Sequence, residues 1–434
     1  MNAWVAKTQK NKVVVVGGVR TPFAKAGTKL KDCGAVHLGV AAATEAMAQA
    51  DVSPDKIDEV AFGNAGTPAD AANISRVIAL RAGIPESVPA YTVHRNCASA
   101  MEALAQGCLK IGAGLADCML VGGTESMSNM PLMYGDQMKE LFGALTFAKS
   151  VSEKAQRVSE FRPSWLKPIV AVMEGLTDPI SGLNMGQTAE ILARDFGISR
   201  EEQDRFALRS HQRAAAAAPK LALETIPVIL EPDYDSYLGT DVGPRANQTM
   251  EALAKLKPFF DRDNGTVTAG NACPITDGAA ALVLMSEARA KSEGREILGA
   301  ISGYSFAGLD PKRMGMGPIH ATSLLLEATG LPWNEIQLVE LNEAFAAQVL
   351  ANQKAFESKK YCSEKLGRAR EIGVLSDEIL NVNGGGIALG HPVGATGARL
   401  VLTALKEMRR SGKHQGLATL CIGGGQGAAF LLEA

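Results

Sequence analysis

Asp55-Lys-Ile-Asp-Glu-Val-Ala-Phe62 returns late in the chain as Asn334-Glu-Ile-Gln-Leu-Val-Glu-Leu341, with Ile and Val at the same places. Each copy runs into a loop with a reactive-looking residue, then a helix, then another strand. From Ile57 to Cys97 is 40 positions, and from Ile336 to His391 is 55. The excess of 15 is similar in size to the charged stretch around Lys354–Gly373, which reads as an insertion. The pattern predicts a degenerate internal duplication.

Outward from these copies, short β-branched runs alternate with alanine-rich helical stretches. Val13–Val16, Glu59–Phe62, Tyr91–Val93, Cys118–Val121, Ala279–Met285 and Leu417–Leu420 read as buried strands. Leu38–Ala50, Ser99–Ile111 and Ala398–Arg410 read as helices. Met101, Leu104, Ala105, Cys108 and Ile111 share one apolar face of the second helix. Strand–helix–strand order implies a sheet covered by helices on both sides. The segment from Thr124 to Lys257 breaks the pattern with Met, Pro and charges. The expected division is therefore a first half made of 1–123 and 258–296, an inserted loop domain at 124–257, and a second half at 297–434.

Composition narrows the function classes. The chain has 434 residues, 46% hydrophobic and 21% charged, with a formal net charge of -2. That suits a large buried core and supplies no basic field for nucleic acid. Met1–Lys12 is polar and the apolar run from Val13 stops at Gly17, so neither a secretory signal nor a membrane span is expected. Seven cysteines without a C-x-x-C pair, and six scattered histidines, point away from a disulfide scaffold or a metal centre. The expectation is a soluble cytoplasmic protein from a reducing compartment.

Four clusters carry chemistry. In His94-Arg-Asn-Cys97-Ala-Ser99 the cysteine sits where a helix begins, and unpaired N–H groups there favour a thiolate and can hold an oxyanion. Taken alone, a buried packing cysteine is the favoured reading. Asn383-Gly-Gly-Gly-Ile-Ala-Leu-Gly-His391-Pro-Val-Gly-Ala-Thr-Gly holds one histidine in a glycine-dense loop, a general-base candidate; a plain turn remains the alternative. Cys421-Ile-Gly-Gly-Gly-Gln-Gly427 places a second thiol beside a glycine turn, with too little chain after it for a dinucleotide fold. Glu340-Leu-Asn342-Glu343 ends an apolar strand with polar groups, and Asn342 can orient a water without ionising.

Together the motifs resemble the thiolase family over nearly the whole chain. They are Val19-Arg-Thr-Pro-Phe23, Cys97, Gly122-Gly-Thr-Glu-Ser126, Gly265-Thr-Val-Thr-Ala-Gly-Asn271, Asp277-Gly-Ala-Ala, Asn342-Glu-Ala-Phe345, Gly390-His-Pro-Val-Gly-Ala-Thr-Gly and Cys421-Ile-Gly. The resemblance implies two duplicated α/β halves in a five-layered α/β/α/β/α body with an inserted loop domain. It implies that Cys97 carries the acyl group, that His391 activates it, and that Cys421 is a second acid/base thiol. Asn342 and His391 would form one oxyanion hole, and the N–H groups of Cys97 and Gly423 the other.

The same resemblance puts Arg245 near the nucleotide end of coenzyme A. It also puts Cys273 at a CoA-contacting position, where many members carry Ser within Ala-Ser-Gly. Met185-Gly-Gln-Thr-Ala-Glu190 and the insertion near Lys354–Gly373 are similar to the long-chain subunits of β-oxidation complexes, whereas Asn342-Glu-Ala-Phe follows the short-chain members. The implied reaction is thiolytic cleavage of a 3-oxoacyl-CoA, with CoA as substrate and no tightly bound cofactor. The alternatives are the reverse condensation of two acetyl-CoA, a decarboxylating condensing enzyme, or a non-catalytic lipid-binding relative. Cys421 speaks against the last two.

A homodimer or tetramer is implied, with a hydratase/dehydrogenase subunit as a further candidate partner. Lys139–Leu176 carries Lys149, Lys154, Arg157, Arg162 and Lys167 beside Phe147, Phe161 and Trp165. It reads as a cover over the site or as a basic surface for a membrane or partner. One consequence is direct: Cys97→Ser should fold normally yet form no acyl-enzyme, because a hydroxyl is a far poorer nucleophile near neutral pH. Mass spectrometry after exposure to acyl-CoA reads this, and wild-type acylation in the variant would overturn the assignment.

Overall fold

A computed structural model describes residues 3–434. We number its main elements in chain order: β1 (Val13–Arg20), α1 (Ala35–Gln49), β2 (Glu59–Gly63), β3 (Ala90–Val93), α2 (Ser99–Ala113), β4 (Cys118–Glu125), α3 (Met185–Asp195), α4 (Arg200–Ala216) and β5 (Thr276–Ser286). There follow β6 (Gly299–Gly308), α5 (Gly317–Thr329), β7 (Leu338–Leu341), α6 (Ala346–Phe356), α7 (Thr396–Ser411), β8 (Gln415–Ile422) and β9 (Gln426–Glu433).

The strand pairing is duplicated. In the first half β1 runs antiparallel to β5, β5 antiparallel to β4, β4 parallel to β2 and β2 parallel to β3. In the second half β6 runs antiparallel to β9, β9 antiparallel to β8, and β8 parallel to β7. A parallel bridge from Val339 to Leu380 stands in for the last pairing. Even the register agrees: Glu59 faces Met119 in one half and Leu338 faces Gly416 in the other, at the corresponding places of the two repeated segments. The halves touch edge to edge through Gly299–Val15 and Ala300–Val14, so the strands form one hydrogen-bonded path.

Side-chain alternation builds the layers. Val14, Val16, Leu120 and Val283 point from the first half-sheet to an outer core with Leu38, Ala42 and Ala46 of α1. Val13, Val15, Val121 and Leu282 point the other way, onto Met101, Leu104 and Ile111 of α2. The same central core takes Leu400, Val401 and Leu405 of α7 and Leu420 and Phe430 from the second half-sheet. Leu417, Ala429 and Leu431 face a third core with Ile319 and Leu325 of α5 and Val349 of α6. The result is α1, sheet, α2 with α7, sheet, then α5 with α6: five layers.

Several elements outrun the sequence reading. β1 does not stop at Gly17 but continues to Arg20, and β4 passes through Gly122 and Gly123 to Glu125. These glycines are places of close approach within strands. A Cβ at Gly17 would lie 2.7 Å from that of Ala50 just after α1. Segment 124–257 is richer in helix than a loop domain suggests. Its α3 and α4 send Leu192 and Phe206 into the third core.

That segment is tied back to the first half by Arg20, which is fully buried. Its guanidinium meets both oxygens of Asp241 at 2.6 and 2.7 Å and Glu224 at 2.6 Å. Burial alone lowers an arginine pKa, but Asp241 and Glu224 outweigh it and hold Arg20 above its ordinary value. Thr403 of α7 donates to the same Glu224 at 3.0 Å, so the knot joins the first half, the inserted segment and the central helices. Asp241→Ala should cost about 3 kcal/mol, the lower end for breaking a buried pair, since Glu224 remains. A urea unfolding midpoint equal to wild type would contradict this.

Candidate active site

β3 delivers Cys97 into a tight turn. Asn96 takes a left-handed φ of 45°, the Ala98 N–H donates to Arg95 O at 2.9 Å, and Ser99 Oγ donates to Asn96 O at 2.7 Å. The turn ends in α2, so Cys97 sits at the start of that helix as the sequence predicts. Its sulfur faces its own N–H and the N–H of Gly423 in the β8–β9 turn. Asn96 Nδ2 donates to Gly423 O at 2.9 Å and fixes that turn against the cysteine. Burial pushes the Cys97 thiol up, the two N–H groups pull it down, and Glu125 raises it again. The free site therefore holds a thiol, not the thiolate that a helix terminus alone suggests; desolvation outweighs the dipole.

His391 is buried and neutral. Burial first, and Arg399 second, depress its pKa to about 3. Nδ1 lies 2.6 Å from Thr396 Oγ1, and that hydroxyl gives its single proton to Pro392 O at 2.9 Å. Nδ1 must then carry the hydrogen in this contact, which leaves the Nε2 lone pair free. Nε2 is buried and has no partner among the described residues. The backbone beneath the ring is held from the first half as well: the main-chain N–H of His391 donates to Thr276 Oγ1 at 3.1 Å at the entrance to β5.

Cys421 ends β8 and is buried. Its thiol is pushed well above its ordinary value by burial, then by Cys97 and Cys273. Cys273 is half-buried and pushed up to about 12, by burial first and Cys97 second. The mutual influence of the three sulfurs puts them in one pocket. The Cys273 N–H donates to Ala344 O at 3.0 Å, which ties this segment to the Asn342–Phe345 loop. Asn342 is wholly buried, and neither its Oδ1 nor its Nδ2 has a partner among the described residues. A buried amide left unpaired is destabilising, and both atoms keep their full capacity for a water or a ligand.

Arg245 lies elsewhere. It is exposed and its N–H donates to His211 Nδ1 at 3.3 Å. It stands two residues beyond Gly243, which packs on the carbonyl of Ala388 in the glycine loop. The structure places Cys97 beside Gly423 and near Cys273 and Cys421. The sequence reading passed over Thr396, which sets the histidine tautomer, and the carboxylate of Glu125. Glu125 is buried, raised to about 7 by burial, and accepts from the N–H groups of Ala65, Gly66 and Gly394 at 3.0, 3.0 and 2.9 Å. An acid ending an otherwise apolar strand was the available signal. Met185, at the start of α3, packs its sulfur near Gly423.

Comparison with known proteins shows which family the chain resembles. The profile described as "Thiolase, N-terminal domain" matches residues 13–288, and "Thiolase, C-terminal domain" matches 295–434. The 3-ketoacyl-CoA thiolase of Pseudoalteromonas translucida (strain TAC 125) is 42% identical over 433 residues, 99% of this chain and 98% of that one. The 3-ketoacyl-CoA thiolase of Yersinia pestis (strain Pestoides F) is 40% identical over 427 residues, 98% and 97% of the two chains. Among crystal structures, the Bacillus anthracis acetyl-CoA acetyltransferase superposes with a TM-score of 0.85 at 37% identity, covering 98% and 99%. Human mitochondrial 3-ketoacyl-CoA thiolase in complex with CoA gives 0.84 at 36%, covering 98% of each chain.

Thr396→Val removes the acceptor for Nδ1–H and releases the ring, so acyl-enzyme formation should slow by about ten- to a hundredfold, part of what an oriented base contributes. Thr396→Ser should restore it. Rapid-quench acylation reads both; a valine variant at wild-type rate would contradict the role of Thr396.

Proposed function

The chain belongs to the thiolase family, and on that premise we propose how its own groups divide the work. The enzyme is an acyltransferase of CoA-dependent fatty acid metabolism: it cleaves a 3-oxoacyl-CoA with CoA into acetyl-CoA and a shortened acyl-CoA. One observation carries the division of roles: Cys97 lies beside the Gly423 N–H and near Cys273 and Cys421, while His391 is a neutral imidazole whose Nε2 has no partner among the described residues.

In the first step His391 Nε2 takes the Cys97 proton as the sulfur attacks the 3-oxo carbon. The developing oxyanion rests on the N–H groups of Cys97 and Gly423. The bond between C2 and C3 then breaks, and Cys421 gives its proton to the departing carbanion of acetyl-CoA. A thiol held far above its ordinary pKa keeps that proton until a strong base forms beside it. In the second step CoA attacks the Cys97 thioester and gives its thiol proton to the Cys421 thiolate; the bond from the acyl carbon to Cys97 breaks, the Cys97 sulfur takes back the proton held on His391, and the shortened acyl-CoA leaves. The negative oxygen of the thioester carbon of the substrate lies with a water held by Asn342 and with His391. A thioester exchanged for a thioester costs little, so cleavage and condensation share one pathway and CoA supply sets the direction.

Arg245 is our candidate for the nucleotide end of CoA, its guanidinium being exposed and taking part in no ion pair among the described residues. Cys273 is the candidate contact nearer the thiol end. We propose a chain division at 123/124, 257/258 and 296/297, and a homodimer or tetramer of dimers. The edge strand β3, paired only to β2 among the described strands, supports a dimer. No described helix is long and apolar enough to cross a membrane; we propose a cytoplasmic enzyme with no tightly bound cofactor. A hydratase/dehydrogenase partner or an anionic membrane is proposed for Lys139–Leu176, where Phe147 is 83% exposed.

Substrate length follows from the apolar residues after β4. Leu132 and Met133 are exposed and Met127 and Met130 half-buried, a flexible wall that admits long chains. Thiolysis should therefore keep or raise kcat/KM from acetoacetyl-CoA to 3-oxohexadecanoyl-CoA. A steep fall beyond four carbons would reject the long-chain reading in favour of acetoacetyl-CoA.

A further inference from the structure

The base of α1 meets the hairpin of Val228–Ile229 and Tyr237–Leu238 at three side chains of ligating chemistry. Cys33, His37 and Glu231 each offer one donor atom, and the three atoms all lie within 4.8 Å of one another. We propose that Cys33 Sγ, His37 Nδ1 and the Glu231 carboxylate form a binding site for a divalent metal of the zinc class. The site is apart from the thiol pocket, and it clips α1 to the inserted segment.

The donor set suits that metal. Zinc takes thiolate sulfur at about 2.3 Å, imidazole nitrogen at about 2.0 Å and carboxylate oxygen at about 2.1 Å, arranged tetrahedrally. Thiolate and carboxylate together balance a double positive charge, and Cys33 gives up its proton on binding. Three protein ligands leave a fourth position for water, and His37 and Glu231 reach solvent, with side-chain exposures of 24% and 26%.

The surroundings already orient the ligands. His37 Nε2 lies 2.8 Å from Ile229 O, a carbonyl that can only accept, so Nε2 bears the hydrogen and Nδ1 presents its lone pair. This outer hydrogen bond to a backbone carbonyl is the usual support of a metal-binding imidazole. Tyr234 donates to Glu231 Oε1 at 2.8 Å, and the Gly34 N–H reaches Oε2 at 3.4 Å. A plain ion pair explains less. His37 Nδ1 stands 3.8 Å from Glu231 Oε1, beyond hydrogen-bond reach, and a fully buried cysteine beside the two has no part in such a pair. Cys33 and His37 are four residues apart across the start of α1, and the third ligand comes from far along the chain, so spacing rules pass the group over.

The test uses the full-length chain stripped by chelator and titrated with Zn²⁺ against a chromophoric competitor. Co²⁺ is added in parallel, because a thiolate ligand gives a charge-transfer band. We expect one equivalent per chain with a cobalt–thiolate band, both lost in His37→Ala and in Cys33→Ser, while thiolysis by His37→Ala stays at the wild-type rate. His37 is at the surface, so that variant decides the matter even if Cys33→Ser folds poorly. No uptake by the wild type overturns the proposal. So does uptake that persists unchanged in His37→Ala, which would put the metal on Cys97, Cys273 and Cys421 instead.

Discussion

How closely α2 and α7 approach at their first turns governs the rest of the site. A Cβ on Gly397 of α7 would lie 2.7 Å from the backbone nitrogen of Met101 in α2. A Cβ on Gly123, near the end of β4, would overlap the carbonyl of Gly394 just before α7. Only glycine allows this contact. Both halves follow one strand order, so both central helices begin at the carboxyl ends of their parallel strands, where α/β proteins gather their ligands. The loops before them carry Cys97 and His391. Bringing the two helix starts together draws the Cys97 and His391 loops toward each other, an approach that takes both halves.

Burial then decides the protonation. Cys97, Cys273 and Cys421 are all raised and His391 is lowered, each chiefly by loss of water. The resting centre is thus a set of neutral acids and one neutral base. Under the proposed mechanism charge develops there only during reaction, when the N–H groups of Cys97 and Gly423 would hold it. Donors that are already in place cost no reorganisation at that moment. Among the described residues the amide of Asn342 and Nε2 of His391 have no hydrogen-bond partner, so the protein leaves their capacity unspent.

Much of this was legible in the residues, for identifiable reasons. The repeated Ile57 and Ile336 segments reported the duplication because an apolar strand needs the same pattern in both halves. Cys97, His391 and Cys421 stood out because glycines and helix starts surround them. Strand ends were misjudged at Gly17 and Gly122: glycine signals a turn in local sequence, but here it makes room for a neighbouring backbone or helix. The helix terminus was read as favouring a thiolate, yet desolvation is a property of the assembled core and has no local signature. Thr396 was passed over because its role is to fix a tautomer through Pro392 O, a geometry that no motif encodes. The reach of Glu125 across to Gly394 spans 269 residues.

That reach belongs to a pair. Glu125 ends β4 of the first half-sheet and accepts from Gly394; Glu343 follows β7 of the second half-sheet and accepts from Ile387 at 3.2 Å, from Ser210 Oγ at 2.6 Å and from Asn381 Nδ2 at 2.9 Å. The two carboxylates therefore pin the glycine loop at points four residues before and three residues after His391. A glycine-rich segment left to itself is the most entropic of backbones, and a base must be held to within a fraction of an ångström to work. Burying two acids is costly in itself, and burial raises the pKa of each. Their backbone partners repay part of that cost and convert a flexible loop into a fixed support. Because one pin comes from each half, His391 keeps its position only while the halves stay docked, and the catalytic geometry is thereby coupled to the packing of α2 on α7.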